Sequence, residues 1–157
     1  MKEKILEAFR DLGFKLEEEE GMGYCFNYEG LNLLYMYNEN DEEFLNIALP
    51  GIVEVEEDRM LQICALLEKI NSTLKYVKTY MLGNSVWLFY ERELFGEEDL
   101  MTVISRMILH LEAGLVFARK AMAEIEETME NDSSADDTAE SAEEIVTEEI
   151  ADDEDIE

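Results

Sequence analysis

The chain has 157 residues, with 12 Lys plus Arg against 40 Asp plus Glu, and a formal charge of -28. Such an excess of carboxylates repels phosphates, which argues against sequence-nonspecific binding to nucleic acid or to an anionic lipid surface. No uninterrupted apolar run reaches the roughly 18 residues of a membrane span, and Met1-Lys2-Glu3-Lys4 leads straight into an amphipathic segment, so a soluble, cytoplasmic protein is expected.

Ile5, Leu6, Phe9 and Leu12 recur at helical spacing, and Gly13 followed by Phe14 supplies a stop, so a first helix is predicted over residues 2–12. The period then changes to two. Tyr24, Phe26 and Tyr28 alternate, Glu29-Gly30 turns, and Leu31, Leu33, Tyr35 and Tyr37 alternate again. Residues 14–18 could pair as a further short strand. Leu45, Ile47 and Leu49 form the next strand, which is expected to end near Pro50, the only proline. A second helix follows from Glu56-Glu57-Asp58 to about Asn71 or Leu74, with Met60, Cys64, Leu67, Ile70 and Leu74 as its buried stripe.

Strand character resumes over residues 76–82, turns at Gly83-Asn84, and returns over residues 86–91 with Trp87, Phe89 and Tyr90. A long third helix opens at Gly96-Glu97-Glu98-Asp99. Its stripe of Met101, Ile104, Ile108, Leu111, Leu115, Ala118, Met122, Ile125 and Met129 alternates steps of three and four. A broader apolar arc in its first half predicts packing on the sheet, while residues 115–129 are expected to project or to dock on another helix or subunit. The prediction is one two-layer α+β domain, with an antiparallel sheet, in the order helix, three strands, helix, two strands, long helix.

The domain is placed at residues 1–127, which hold all the aromatic residues. Residues 128–157 carry 14 acids and no Lys or Arg. This acidic tail has too little apolar surface to offset the entropy of ordering it, so it is expected to be disordered, either a solubilising brush or a linear motif built on Ile145, Val146, Ile150 and Ile156.

Sites for chemistry are hard to find. His110 is the sole histidine and reads as a packing or surface residue, and one His with the distant Cys25 and Cys64 falls short of a zinc site. Those cysteines read as reduced thiols packed as small hydrophobes. Asn38, Asn40 and Glu42 echo a calcium loop, but Glu43 stands where its glycine belongs and Leu49 where its closing glutamate belongs. Gly21-Met22-Gly23 lacks the third glycine of a dinucleotide fingerprint. No catalytic residue, metal or cofactor is assigned. The strands are instead rich in Tyr and Met, whose amphipathic rings and adaptable thioethers suit protein contacts.

The element order resembles the type III secretion chaperone-like fold, and within it a bacterial family of sensory transduction regulator-like proteins. Leu12-Gly13-Phe14, the hairpin from Phe26 to Tyr35, the strand from Phe44 to Pro50 and the hairpin around Gly83-Asn84 carry the resemblance, which covers residues 1–127. It implies an antiparallel sheet with helices packed on it, often a homodimer, that binds another polypeptide without chemistry. The expectation is a non-enzymatic module, chaperone-like or a regulatory adaptor, that forms a homodimer and binds a polypeptide partner. Tyr35, Tyr37, Tyr80, Trp87, Leu115 and Met122 are its candidate contacts. Two rival readings are an acidic decoy of a basic nucleic-acid-binding protein and an enzyme with an unrecognised carboxylate site.

Overall fold

The computed structural model describes residues 1–151, and the side chains of residues 1–135. Helix α1 (Lys2–Asp11) buries Ile5, Leu6, Ala8 and Phe9. Its end is a hydrogen-bonded stop: the Gly13 N–H donates to the Arg10 carbonyl (2.9 Å) and the Phe14 N–H to the Phe9 carbonyl (3.1 Å). The Phe14 ring then packs edge-on against Phe9, at 6.1 Å, which is the apolar contact that accompanies this cap.

Six antiparallel strands follow the order β1-β2-β3-β4-β6-β5. They are β1 (Glu17–Glu19), β2 (Gly23–Tyr28), β3 (Leu31–Met36), β4 (Phe44–Glu54), β5 (Val77–Leu82) and β6 (Ser85–Glu93). The optional N-terminal strand is therefore present, displaced toward the glutamates. Strand β4 does not stop at Pro50. A register irregularity between Leu49 and Val53 takes up the proline, which has no N–H for a regular ladder, and pairing with β6 resumes at Val53↔Val86.

A 3-10 turn (Glu57–Arg59) leads into α2 (Met60–Thr73), and α3 (Leu100–Ala151) closes the fold. Asp99 caps α3: its carboxylate accepts from the Thr102 N–H at 3.5 Å and from the Thr102 hydroxyl at 2.6 Å, and these bonds, the hydroxyl's first, hold the Asp99 carboxyl below its usual range. The helix passes the boundary expected at Glu127 and continues to Ala151; no proline or glycine follows Gly114 to interrupt it. Of the tail expected to be disordered, residues 128–157, the side chains from 136 onward and residues 152–157 lie outside the described residues, and the backbone of residues 128–151 forms the end of α3.

All three helices lie on one face of the sheet. The core there joins Phe9 of α1, Ile63, Leu66 and Ile70 of α2, and Ile104, Ile108 and Leu111 of α3 to Phe26, Leu33, Tyr35, Leu45, Ile47, Val86 and Leu88. An 18-residue window of α3 has a mean hydropathy of 1.5, apolar enough for a membrane span by composition and length. In this fold its apolar residues Ile104 and Leu111 are fully buried against the sheet. Of the two expectations for residues 115–129, projection or docking on another helix, the structure shows docking at Leu115, Ala118, Ala121 and Met122, which join the core shared with α2.

Candidate partner-binding face

Register assigns every strand residue to one of two faces. In β6, Val86, Leu88 and Tyr90 point to the helices, so Ser85, Trp87, Phe89, Glu91 and Glu93 point away. The ladder places Cys25 opposite Leu34, Leu34 opposite Ala48, and Ala48 opposite Phe89. These residues form a second apolar cluster on the far face: Leu34, Ala48 and Phe89 are buried, with Cys25, Met36 and Trp87 packed around them. Every member is a strand residue. Among the described residues no helix covers this face, and its roof consists of side chains lying flat: Tyr80 stacks on Phe89 at 4.1 Å and 6°, and Trp87 at 5.9 Å and 17°.

Two polar strips border the cluster. On one side Asn46 donates to Glu91 (2.8 Å), and Lys78 pairs with the same carboxylate. The Asn46 Oδ1 is buried with no hydrogen-bond partner. On the other side Asn27 donates to Asn32 at 3.1 Å. Glu17 and Glu19 on β1, Glu54 on β4, and Glu91 and Glu93 on β6 share the far face by register. Burial, then the carboxylates of Glu19 and Glu17, push the Cys25 thiol above its usual range, so it is the less reactive protonated form that sits there.

The six residues singled out from the sequence fall in three places. Tyr80 and Trp87 are on the far face. Tyr35 is a correction: it is 1% exposed, stacked on Phe9 at 5.6 Å beneath α1, so its ring has no surface to offer. Tyr37 lies at the end of the helix-covered face, where its hydroxyl donates to Glu42 (2.7 Å) and the Lys2 ammonium sits 4.4 Å from its ring. Leu115 and Met122 are also corrections, because both are buried in the core between α3 and its neighbours. They line a shallow depression with Ile52, Val53, Ala118 and Arg119, closed at one side by the ion pair of Arg59 with Glu126.

Sequence reasoning missed Leu34, Ala48 and Phe89, although a signal was present. Leu33-Leu34-Tyr35, Ile47-Ala48-Leu49 and Leu88-Phe89-Tyr90 are continuous apolar runs, and a strand with one wet face reads as an alternation instead. Three adjacent strands thus carry the pattern of a sheet covered on both sides.

Elsewhere the structure offers little chemistry. His110 packs tilted against two rings, 5.1 Å from Tyr76 and 5.7 Å from Tyr90. A depression of about 640 Å³ between Phe14, Cys25 and Asn27 has Lys15 and Glu17 as its charged groups, and these pair with each other at 3.2 Å.

No protein-family profile and no curated protein matches the chain. Among solved structures it is similar to YbjN, a candidate transcription regulator from E. coli, with a TM-score of 0.59 and 14% identity over 76% of this chain and 92% of that one. It is also similar to an uncharacterised protein from Methanothermobacter thermautotrophicus, with a TM-score of 0.52 and 17% identity over 81% of this chain and 97% of that one. What these likenesses show is the fold: the chain has a YbjN-like α+β fold, with a six-stranded antiparallel sheet and a long C-terminal helix.

Proposed function

We propose that this chain is a non-catalytic regulatory adaptor, acting in the cytoplasm, that binds another polypeptide on the strand-only face of its sheet. The observation that carries the reading is the mismatch between sequence and cover: three central strands are apolar on both faces, and the helices cover only one. A partner that covered Trp87, Tyr80 and Met36 would remove the remaining mismatch, and aromatic residues of this kind are what protein interfaces concentrate. The similarity in fold to a candidate regulator agrees with a binding role. Cys25 and Cys64, both unpaired, fit a reducing compartment.

The test is positional. A photo-crosslinking residue at Tyr80 should capture a defined polypeptide in host cells, whereas the same residue at Leu61, an exposed apolar position on α2, should not. Equal capture at the two positions would remove the face from the argument.

A further inference from the structure

The charge and geometry of the strand-only face specify its occupant, an inference that rests on the reading just given. We infer that this face takes a basic amphipathic helix. The apolar band runs from Cys25 on β2 across β3, β4 and β6 to Tyr80 on β5. Four interstrand steps of about 4.8 Å make a span of roughly 19 Å, which a helix of about 13 residues matches at 1.5 Å per residue. A helix satisfies its own backbone hydrogen bonds, so it can lie on side chains, whereas an extended segment needs a strand edge. On the β5 edge the backbone groups of Thr79 are already taken: the Asn71 side chain donates to the Thr79 carbonyl (3.0 Å) and accepts from the Thr79 N–H (2.8 Å).

The sign of the partner follows from the rim. Glu17, Glu19, Glu54, Glu91 and Glu93 face outward around the band, and the two cations beside them, Lys15 and Lys78, are already engaged by Glu17 and Glu91. Acceptors therefore outnumber donors here. An occupant with Lys or Arg flanking its apolar stripe supplies the missing donors. A second copy of the chain does the reverse. It brings five more carboxylates against these five, on a molecule of charge -28.

The experiment titrates the full chain with a synthetic helical peptide of about 14 residues, made of Leu and Lys with leucines at i, i+3, i+4 and i+7, and with its Leu and Glu counterpart. Trp87 is the only tryptophan and lies on the face, so its fluorescence reports occupancy. The Lys peptide should shift the Trp87 emission to the blue, and the Glu peptide should not. Reversing Glu19, Glu54 and Glu93 to Lys should weaken binding by about tenfold or more, whereas reversing Glu3, Glu7 and Asp11 on α1 changes net charge equally and should leave it within about twofold. All six side chains are exposed, and far-ultraviolet circular dichroism checks that both triple variants fold.

Equal weakening by both triples would mean that the peptide follows net charge, and would overturn the inference. Equal affinity for the two peptides, or no response of Trp87 to either, would also overturn it. Capture at Tyr80 would in those cases still stand, and with it the binding face. Burial of Trp87 by concentration-dependent dimerisation would overturn it in favour of a second copy.

Discussion

Replacing Asn71 by Ala tests whether one amide really secures the β5 edge. Asn71 sits near the end of α2 and makes both of its hydrogen bonds to the backbone of Thr79, at 2.8 and 3.0 Å. Thr79 is 3% exposed, and its hydroxyl donates to the Trp87 carbonyl (2.7 Å), so the strand cannot easily move to find other partners. Two lost neutral hydrogen bonds at about 0.5–1.5 kcal/mol each give a loss of about 1–3 kcal/mol. Because Asn71 is itself exposed, water can enter once the side chain is removed, which keeps the loss away from the full penalty of a dry, unsatisfied pair. Alanine returns about 0.5 kcal/mol of helix propensity. The net expectation is about 1–2 kcal/mol, or a fall in Tm of roughly 3–6 °C for a chain of this size. Urea unfolding followed by circular dichroism measures it, with an unchanged m-value showing that the denatured state is not the cause. Ser72→Ala next door, which removes only a long 3.4 Å contact to the Lys69 carbonyl, is the control and should change little. If the two variants are indistinguishable, the amide does not secure the edge and the reasoning fails.

Further predictions concern the core, a close approach, the thiols and alkaline pH. Leu111→Ala should cost about 2–5 kcal/mol, because Leu111 is fully buried, whereas Val116→Ala on the outer side of the same helix, at 64% exposure, should cost under about 0.5 kcal/mol; chemical denaturation of both variants checks the contrast. Gly23→Ala should be more damaging than its size suggests: a Cβ there would lie 1.9 Å from the Tyr35 carbonyl oxygen, at a φ of +143° that side chains rarely adopt, and a Tm within a degree of the parent would contradict this. A thiol-reactive dye should modify the exposed Cys64 first and Cys25 more slowly, and equal rates would mean that the strand face is looser than described. Tyr35 and Tyr90 are raised chiefly by burial, and Tyr37 chiefly by its hydrogen bond to Glu42. A raised folded pKa means that stability from the neutral phenols is complete below their unfolded value of about 10 and is lost as pH rises beyond it. Phenolate absorbance should therefore show a late tyrosine class that ionises together with unfolding; titration of every tyrosine near its free value would contradict the burial.

Much of the architecture was readable because period and punctuation agree. The alternation in β2 and β3 and the heptad steps of α3 each named an element, and Leu12-Gly13-Phe14 named the cap that the hydrogen bonds draw. Pro50 misled because a proline ends a regular ladder but fits a bulge, and the partner strand β6 that carries β4 past it lies far away in sequence. The binding face was only half legible. Tyr80 and Trp87 stood out as rings, but Tyr35 stood out equally, and only the register decides which side of the sheet a ring is on. A shift of one residue would exchange Tyr35 for Leu34 and invert the assignment. Asn71 is a similar case: its partner Thr79 is identified by the packing of α2 beside β5.

The pairing of β4 with β6 joins the front of the chain to its middle, from Phe44↔Glu93 to Glu54↔Ser85. On a ribosome, β4 is therefore made well before its neighbour and waits with one side bare while α2 and β5 are still being synthesised. Pro50 stands in that waiting strand, where its missing N–H spoils the template for any stray chain, and the kink that the finished sheet tolerates guards the unfinished one.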